Sequence, residues 1–244
     1  MKTWVAFWSI MQKDIQNYYL KPPNVSWGII FPLAWTLMLL IRSKESVEII
    51  EILPGLMAMS VLFGTTSMLA VTITFERRGR SFERLLLAPI SLNAMVLAKT
   101  VGSMLFGILN AFVPAVFAAF FIDLSGVHWG TVLIGVLFIA ITSTLLGLFI
   151  AISAKEIFEA QTFSNFFRFP MLFLCGLFIP IASLPAYLRP LSYCLPLTYG
   201  VDMLNGALTH TGIMGFGVNV TVLSGFAVLL FFICLRNIQR KWIL

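Results

Sequence analysis

Acid–base, nucleophilic or metal chemistry in this chain would have to come from ten Asp and Glu, two His and three Cys, and none of these is spaced for it. His128 and His210 have no carboxylate close in sequence, so each reads as a loop histidine rather than a general base or ligand. Cys175, Cys194 and Cys234 match no metal-ligand spacing, and an odd count makes no disulfide framework. Cys175 and Cys234 read as small membrane-embedded hydrophobes, with a Cys175–Cys194 bridge on the outer side as the minor alternative. No paired-aspartate motif occurs, nor any serine–histidine pair inside an apolar run. There is no Gly-Lys dipeptide, hence no phosphate-binding P-loop. The acids cluster at the ends of apolar runs, whereas a proton- or ion-coupled carrier keeps a carboxylate inside the bilayer; only the depth of Asp202 is open. The reading is a chain that is not catalytic alone and binds no cofactor or metal. Uphill work would need energy from another subunit and a surface to receive it.

One stretch has the character of such a surface. Residues 74–91 read TFERRGRSFERLLLAPIS, with four arginines and two glutamates, in a chain that is 59% hydrophobic and 11% charged. Ser81 is placed to cap a short helix, Glu83 falls in its favourable first turn, and Gly79 offers a hinge before it. Phe82, Leu85 and Leu86 share one face at helical spacing, with Arg84 beside them, and Pro89 ends the helix. A polybasic loop that only sets topology or touches anionic lipid explains the arginines. It does not explain the apolar face or the acids.

The elements that hold this stretch are membrane helices. Mean hydropathy is +0.97, far from that of a soluble domain, and the length suits about six spans of ~20 apolar residues. The net charge of +6 then reflects retained cytoplasmic cations, not a nucleic-acid surface. Trp4, Phe7, Trp8, Met11, Ile15 and Tyr18 recur at helical spacing, predicting an interfacial helix over residues 1–21 that rests on lipid. No cleavable leader is visible in it. Apolar runs follow at about 25–41, 52–75, 97–122 and 130–152, near 163–181, and at 218–235. With the amino terminus inside, thirteen of sixteen Lys and Arg fall on the cytoplasmic side, so both termini are expected there. Lys99 and Arg168 would lie just inside their spans and snorkel outward. Ser143, Gly147 and Ala151, like Ala98 and Gly102, recur every four residues, a spacing that permits close helix contact.

The fifth run breaks up. Pro180, Pro185, Pro190 and Pro196 fall within seventeen residues, and irregular backbone at membrane depth survives only where it packs on protein or lines a cavity. The run is expected to turn at Pro180 into short re-entrant helices starting near Pro185 and Pro196.

Gly176, Phe178-Ile-Pro180, Leu184-Pro185, Leu195-Pro196-Leu-Thr198-Tyr199 and Val201-Asp202 together resemble the signature of permease subunits of type-2 ATP-binding-cassette (ABC) exporters. The resemblance runs the length of the chain. It implies an all-α integral membrane permease, residues 1–244 as one domain, with six spans, an interfacial amino-terminal helix and a re-entrant outer segment at 180–206. It also implies a homodimer, or a pair with a paralogue, in the prokaryotic plasma membrane. Two cytoplasmic ATPase subunits would carry ATP and Mg, and substrate would pass between the permeases. Gly176, Pro180, Pro185, Pro196, Thr198, Tyr199 and Asp202 would shape the outer gate. Residues 76–91 would hold the coupling helix, whose family form is Glu-Arg-x-x-Gly-Thr-Leu-Glu-x-Leu followed by a proline-serine step. Glu76-Arg77, Glu83-Arg84-Leu85-Leu86 and Pro89-Ile-Ser91 match it, while Arg80 stands at the usual glycine and Gly79 one residue earlier. The ATPase contact would then be Ser81, Phe82, Glu83, Arg84, Leu85 and Leu86. With 14% aromatics, the expected cargo is amphipathic: a drug, lipid or lipid-linked glycan. A non-transporting sensor or scaffold subunit, and a stand-alone secondary carrier, remain as alternatives.

Overall fold

A computed structural model describes residues 2–19, 25–42, 49–79, 81, 85, 91–238 and 240. Among them it is helical throughout, without strands. The helices are α1 (Lys2–Asp14), α2 (Phe31–Arg42), α3 (Ile49–Arg78), α4 (Leu92–Ala118), α5 (Trp129–Ser153), α6 (Ile157–Leu174), α7 (Arg189–Tyr193), α8 (Pro196–Leu208) and α9 (Phe216–Ile238). Wider π-helical turns at Ile15–Tyr19 and Ser26–Ile30 extend α1 and lead into α2.

Four of these helices are long and apolar enough to cross a membrane: Ile49–Arg78, Asn93–Ala118, Trp129–Ser153 and Phe216–Ile238. They correspond to the second, third, fourth and sixth apolar runs. α2 is only 12 residues long, and α6 carries Glu159 and Arg168 within its 18 residues.

α3 is the centre of the bundle. A helix apolar all round has no face to spare for water and is buried on every side, and Leu53 through Ala70 are buried without a break. Of its hydroxyls, Thr65 and Thr74 donate back to the Val61 and Ala70 carbonyls, each at 2.8 Å, while Ser60 and Ser67 are buried without a hydrogen-bond partner. α2, α4, α5, α6 and α8 pack around it, and α9 lies outside against α5 and α8. The small-residue stripe on α5 is a true contact face. A Cβ on Gly147 would stand 2.8 Å from the Thr66 carbonyl oxygen, and the Thr66 hydroxyl reaches the Ser143 carbonyl at 3.4 Å. Ala98, Gly102 and Ala151 are buried too.

Three boundaries differ from the sequence reading in ways that bear on function. α4 starts at Leu92, five residues early, because Ser91 caps it by accepting the Ala94 N–H at 3.3 Å. Lys99 is therefore inside the helix, wholly buried, and does not snorkel. α6 starts at Ile157 rather than near Phe163 and stops at Leu174 rather than near Pro180. The stop is Gly176, whose φ of +78° is a conformation that side-chain-bearing residues rarely adopt. Arg168 is wholly buried as well. Cys175 and Cys194 are both free thiols, so the bridge does not form.

α1 also turns differently. Trp4 and Trp8 are exposed, but Ile10, Met11 and Asp14 are buried against the bundle, so the aromatic stripe splits between surface and protein.

Expected outcome: Gly147→Val drives a branched side chain into the α3 backbone and destabilises the chain by about 1–3 kcal/mol. Gly130→Ala, where nothing lies within 4 Å, leaves the thermal midpoint in detergent within error of the parent.

Candidate functional site

The end of α3, at Glu76–Arg78, is an ionic junction. Lys13, Asp14, Glu76 and Lys99 form a closed ring in which each ammonium bridges both carboxylates. Lys13 Nζ lies 2.5 Å from Glu76 Oε1 and 3.0 Å from Asp14 Oδ1. Lys99 Nζ lies 2.6 Å from Glu76 Oε2 and 3.0 Å from Asp14 Oδ2. Asp14 Oδ1 and Glu76 Oε2 receive no aligned hydrogen bond, so those two sides of the ring are held by charge proximity alone. Asp14, Glu76 and Lys99 are buried, and Lys13 alone is partly open to solvent. The ring is electrically balanced, which is what allows four charges to leave water together.

Burial by itself would pull the Lys13 pKa down. The Glu76 hydrogen bond and the Asp14 and Glu76 charges outweigh it and hold Lys13 above the ordinary lysine value of 10.5. A lysine raised on folding stabilises fully below its unfolded pKa and loses that contribution as pH climbs through the folded value, so this side of the ring weakens only in strong alkali. Tyr18, under Lys13 at 5.9 Å from ring centroid to Nζ, is also raised, by burial and then by the Glu76 charge.

The next two residues continue the junction. Arg77 Nη1 reaches the Ala151 and Ala154 carbonyls at 3.3 Å each, closing the carboxyl-terminal end of α5 where a cation is favoured. Arg78 pairs with Glu156 at 3.3 Å, just ahead of α6; both are exposed and the pair contributes little. Three consecutive residues thus tie the end of α3 to α1, α4, α5 and the start of α6.

Of the coupling residues read from sequence, Ser81 and Leu85 are described. Ser81 donates its hydroxyl to the Glu76 carbonyl at 3.1 Å, a bond to the helix before it. Leu85 packs half-buried on a cluster that includes Ile10, Leu69, Ile73 and Met95, so it faces the bundle. Phe82, Glu83, Arg84 and Leu86 lie outside the described residues. Gly79 lies in a turn just past Arg78, its N–H still bonded to the Phe75 carbonyl at 3.0 Å.

At the other end of the bundle the proline-rich segment borders a cavity of about 1130 Å³. Gly176, Pro180, Thr198 and Asp202 line it, with Phe178 and His210; Pro185, Pro196 and Tyr199 do not. Pro196 occupies the first turn of α8. Pro185 instead makes a turn, accepting the Leu188 N–H at 2.9 Å, and the short α7 starts later, at Arg189. Thr198 Oγ1 donates to the Ser192 carbonyl at 2.5 Å and Tyr199 OH to the Tyr193 carbonyl at 2.8 Å, fastening α8 onto α7. The Asp202 carboxylate accepts the Ile213 and Met214 N–H groups at 2.7 and 3.0 Å and the Asn219 amide at 2.8 Å. It is a clasp on the α8–α9 connection, its charge committed to two backbone N–H groups and the Asn219 amide. His128 and His210 stack edge to face at 5.3 Å between centroids, a pairing their spacing did not show.

The profile of the ABC-2 type transporter family matches residues 5–209. The chain belongs to that family. It is 24% identical over 245 residues to the inner membrane transport permease YadH of Escherichia coli (strain K12), covering 97% of this chain and 96% of the relative. It is 25% identical over 221 residues to nodulation protein J of Bradyrhizobium diazoefficiens, covering 87% and 82%. Members of the family are multi-pass membrane transport permeases that generally work with an ATP-binding-cassette subunit, and they are not enzymes in their own right.

The ring was not read from sequence, although it left a trace. A lysine flanked by Ala98 and Thr100 early in an apolar helix needs a buried partner, and α1 supplies one in Asp14.

Expected outcomes: Lys99→Met strands two carboxylates beside one ammonium and destabilises the chain by roughly 3–5 kcal/mol. Adding Asp14→Asn restores charge balance and recovers at least about 1 kcal/mol of that loss, read as thermal midpoints in detergent. Asp202→Ala frees the α8–α9 connection, and amide exchange of residues 209–215 rises while the α3 core stays protected.

Proposed function

We propose that this chain is the permease subunit of an ATP-driven exporter of amphipathic or lipid-like cargo, with ATP and Mg held by a separate cytoplasmic subunit. In this reading the chain has six spans, α2 and α6 adding to the four long apolar helices, and both termini lie in the cytoplasm of a prokaryotic cell. Two copies pair, lipid surrounds them, and the segment at 180–206 dips into the outer leaflet as a gate.

The observation that carries the reading is the junction at Glu76–Arg78. A docking helix transmits force only if its root is rigidly tied to the helices that must move. Here the root is tied to four elements besides its own helix. A loop serving topology alone needs positive charge outside the bilayer, not a buried carboxylate bridging two lysines. ATP binding on the partner would act by a contact that differs between two states of the permease. The ring sets which helices move as one body: α1, α3 and α4 together, with α5 fastened by Arg77. The stand-alone carrier draws no support from the buried carboxylates among the described residues, because Asp202 is committed to the α8–α9 connection and Asp14 and Glu76 are paired with Lys13 and Lys99.

Expected outcome: the full chain, purified from its native host in mild detergent, brings down an ATP-binding-cassette ATPase in stoichiometric amount, and the complex hydrolyses ATP in proteoliposomes. Phe82→Asp and Leu86→Asp each cut ATPase recovery by about tenfold or more, as expected for charge placed in a buried interface anchor. ATPase recovery unaffected by both substitutions would remove the docking face from residues 82–86, and transport by the lone chain under a pH gradient would sink the ATP-driven reading.

A further inference from the structure

Arg168 sits on α6 with its side chain wholly buried, and no Asp or Glu among the described residues pairs with it. Its Nε donates to the Ser164 carbonyl and its Nη2 to Asn165 Oδ1, both at 3.0 Å. Both partners lie one turn back on its own helix. They orient the guanidinium without neutralising it. The plane rests on the Phe63 ring of α3, 4.6 Å from centroid to Cζ, and Nη1 has no hydrogen-bond partner. As a staple between α3 and α6 this is a poor arrangement, since a methionine would fill the same space with no charge to desolvate. A charge kept at such cost inside an apolar bundle marks a function.

The surroundings point to the ligand. Phe63 begins an aromatic seam that continues through Phe31 at 5.1 Å, Trp35 at 6.0 Å and Phe178 at 5.6 Å between successive centroids. Phe178 lines the outer cavity. Partway along the seam, Trp35 Nε1 is a second buried donor without a partner. Two orphaned donors on one aromatic track call for a ligand that brings acceptors and has an apolar or ring-bearing body to lie along it. The cavity itself carries Glu51, Asp123 and Asp202 and is no resting place for an anion.

We propose that Arg168 binds the oxyanion headgroup, a phosphate or carboxylate, of the amphiphile this chain moves, with the Phe63–Phe31–Trp35–Phe178 seam carrying its body toward the outer cavity. The proposal rests on the transport reading and names its substrate class. The guanidinium is closed between α3 and α6 here, and the headgroup reaches it when the two helices part. Pro170, two residues on, lacks the N–H that would bond the Phe166 carbonyl, so α6 bends most easily beside the site.

The test is equilibrium binding to the full chain in phosphatidylcholine nanodiscs. Radiolabelled dodecyl phosphate is the probe, dodecyl maltoside the uncharged amphiphile and inorganic phosphate the free anion. The expected result is binding of dodecyl phosphate about tenfold tighter than dodecyl maltoside, a preference worth one charge-assisted contact. Arg168→Met abolishes the preference, Arg168→Lys keeps part of it, and millimolar inorganic phosphate does not compete. Trp35→Phe, which leaves the seam filled, weakens dodecyl phosphate by about threefold and carries the test should Arg168→Met fail to fold. Equal binding by the parent and Arg168→Met overturns the proposal, as does competition by inorganic phosphate at equal concentration. A changed oligomeric state in Arg168→Met overturns it as well, because Arg168 would then serve contact between copies. Binding needs no ATPase, so the two readings fail separately. Co-purification of an ATPase without Arg168-dependent binding removes the site alone, and Arg168-dependent binding without any ATPase partner removes the ATP-driven reading alone.

Discussion

Everything at one end of this bundle depends on the burial of Glu76. A carboxylate at zero exposure is too costly to leave unpaired, and it recruits Lys13 from α1 and Lys99 from α4. Those two ammoniums then require Asp14 to balance them. α3 is 30 residues long, roughly 45 Å against a hydrocarbon core of about 30 Å, so its end reaches the headgroup region, where charges are affordable if mutually satisfied. The result is a rigid corner from which the charged connection departs. It also fixes how α1 is rotated: Asp14 faces the bundle, and Trp4 and Trp8 are exposed on the other side.

The two ends of the molecule use polar groups differently. At the corner by Glu76, side chains bond side chains on other helices, and a change in one is felt by four elements. At the opposite end, Thr198 and Tyr199 bond backbone a short distance along the chain, and Asp202 bonds two backbone N–H groups and the Asn219 amide. Those bonds hold irregular, proline-rich backbone in shape, which is the condition under which such backbone survives near a membrane. They build the wall of a cavity rather than a site of chemistry. Between the ends, the interior is mostly apolar side chains, with a few buried polar atoms that lack partners, among them Arg168 Nη1 and Trp35 Nε1 on the aromatic seam.

Sequence pattern and structure describe different parts of the connection after α3. The pattern of Glu76-Arg77 and Glu83-Arg84-Leu85-Leu86 located it. The structure gave the first two residues a mechanical role that the pattern does not contain, with Arg77 fastening α5 and Glu76 fastening α1 and α4. Leu85 turned out to face the bundle.

Sequence alone determined what depends on local composition and period: an all-helical membrane chain, the four long spans to within a few residues, a helix at the amino terminus, and the break after the fifth apolar run. Hydrophobicity and proline geometry act over a single turn or span, so they are legible one stretch at a time. The family, too, was legible, because its proline and coupling patterns are contiguous. The ionic ring, the Arg77 cap on α5, the His128–His210 pair and the seam from Phe178 to Arg168 were not. Each joins residues tens of positions apart, and whether a lysine such as Lys99 snorkels to water or turns inward depends on whether another helix brings a carboxylate to meet it. Only the tertiary packing decides that, since the energy of a buried charge is set by its neighbours in space.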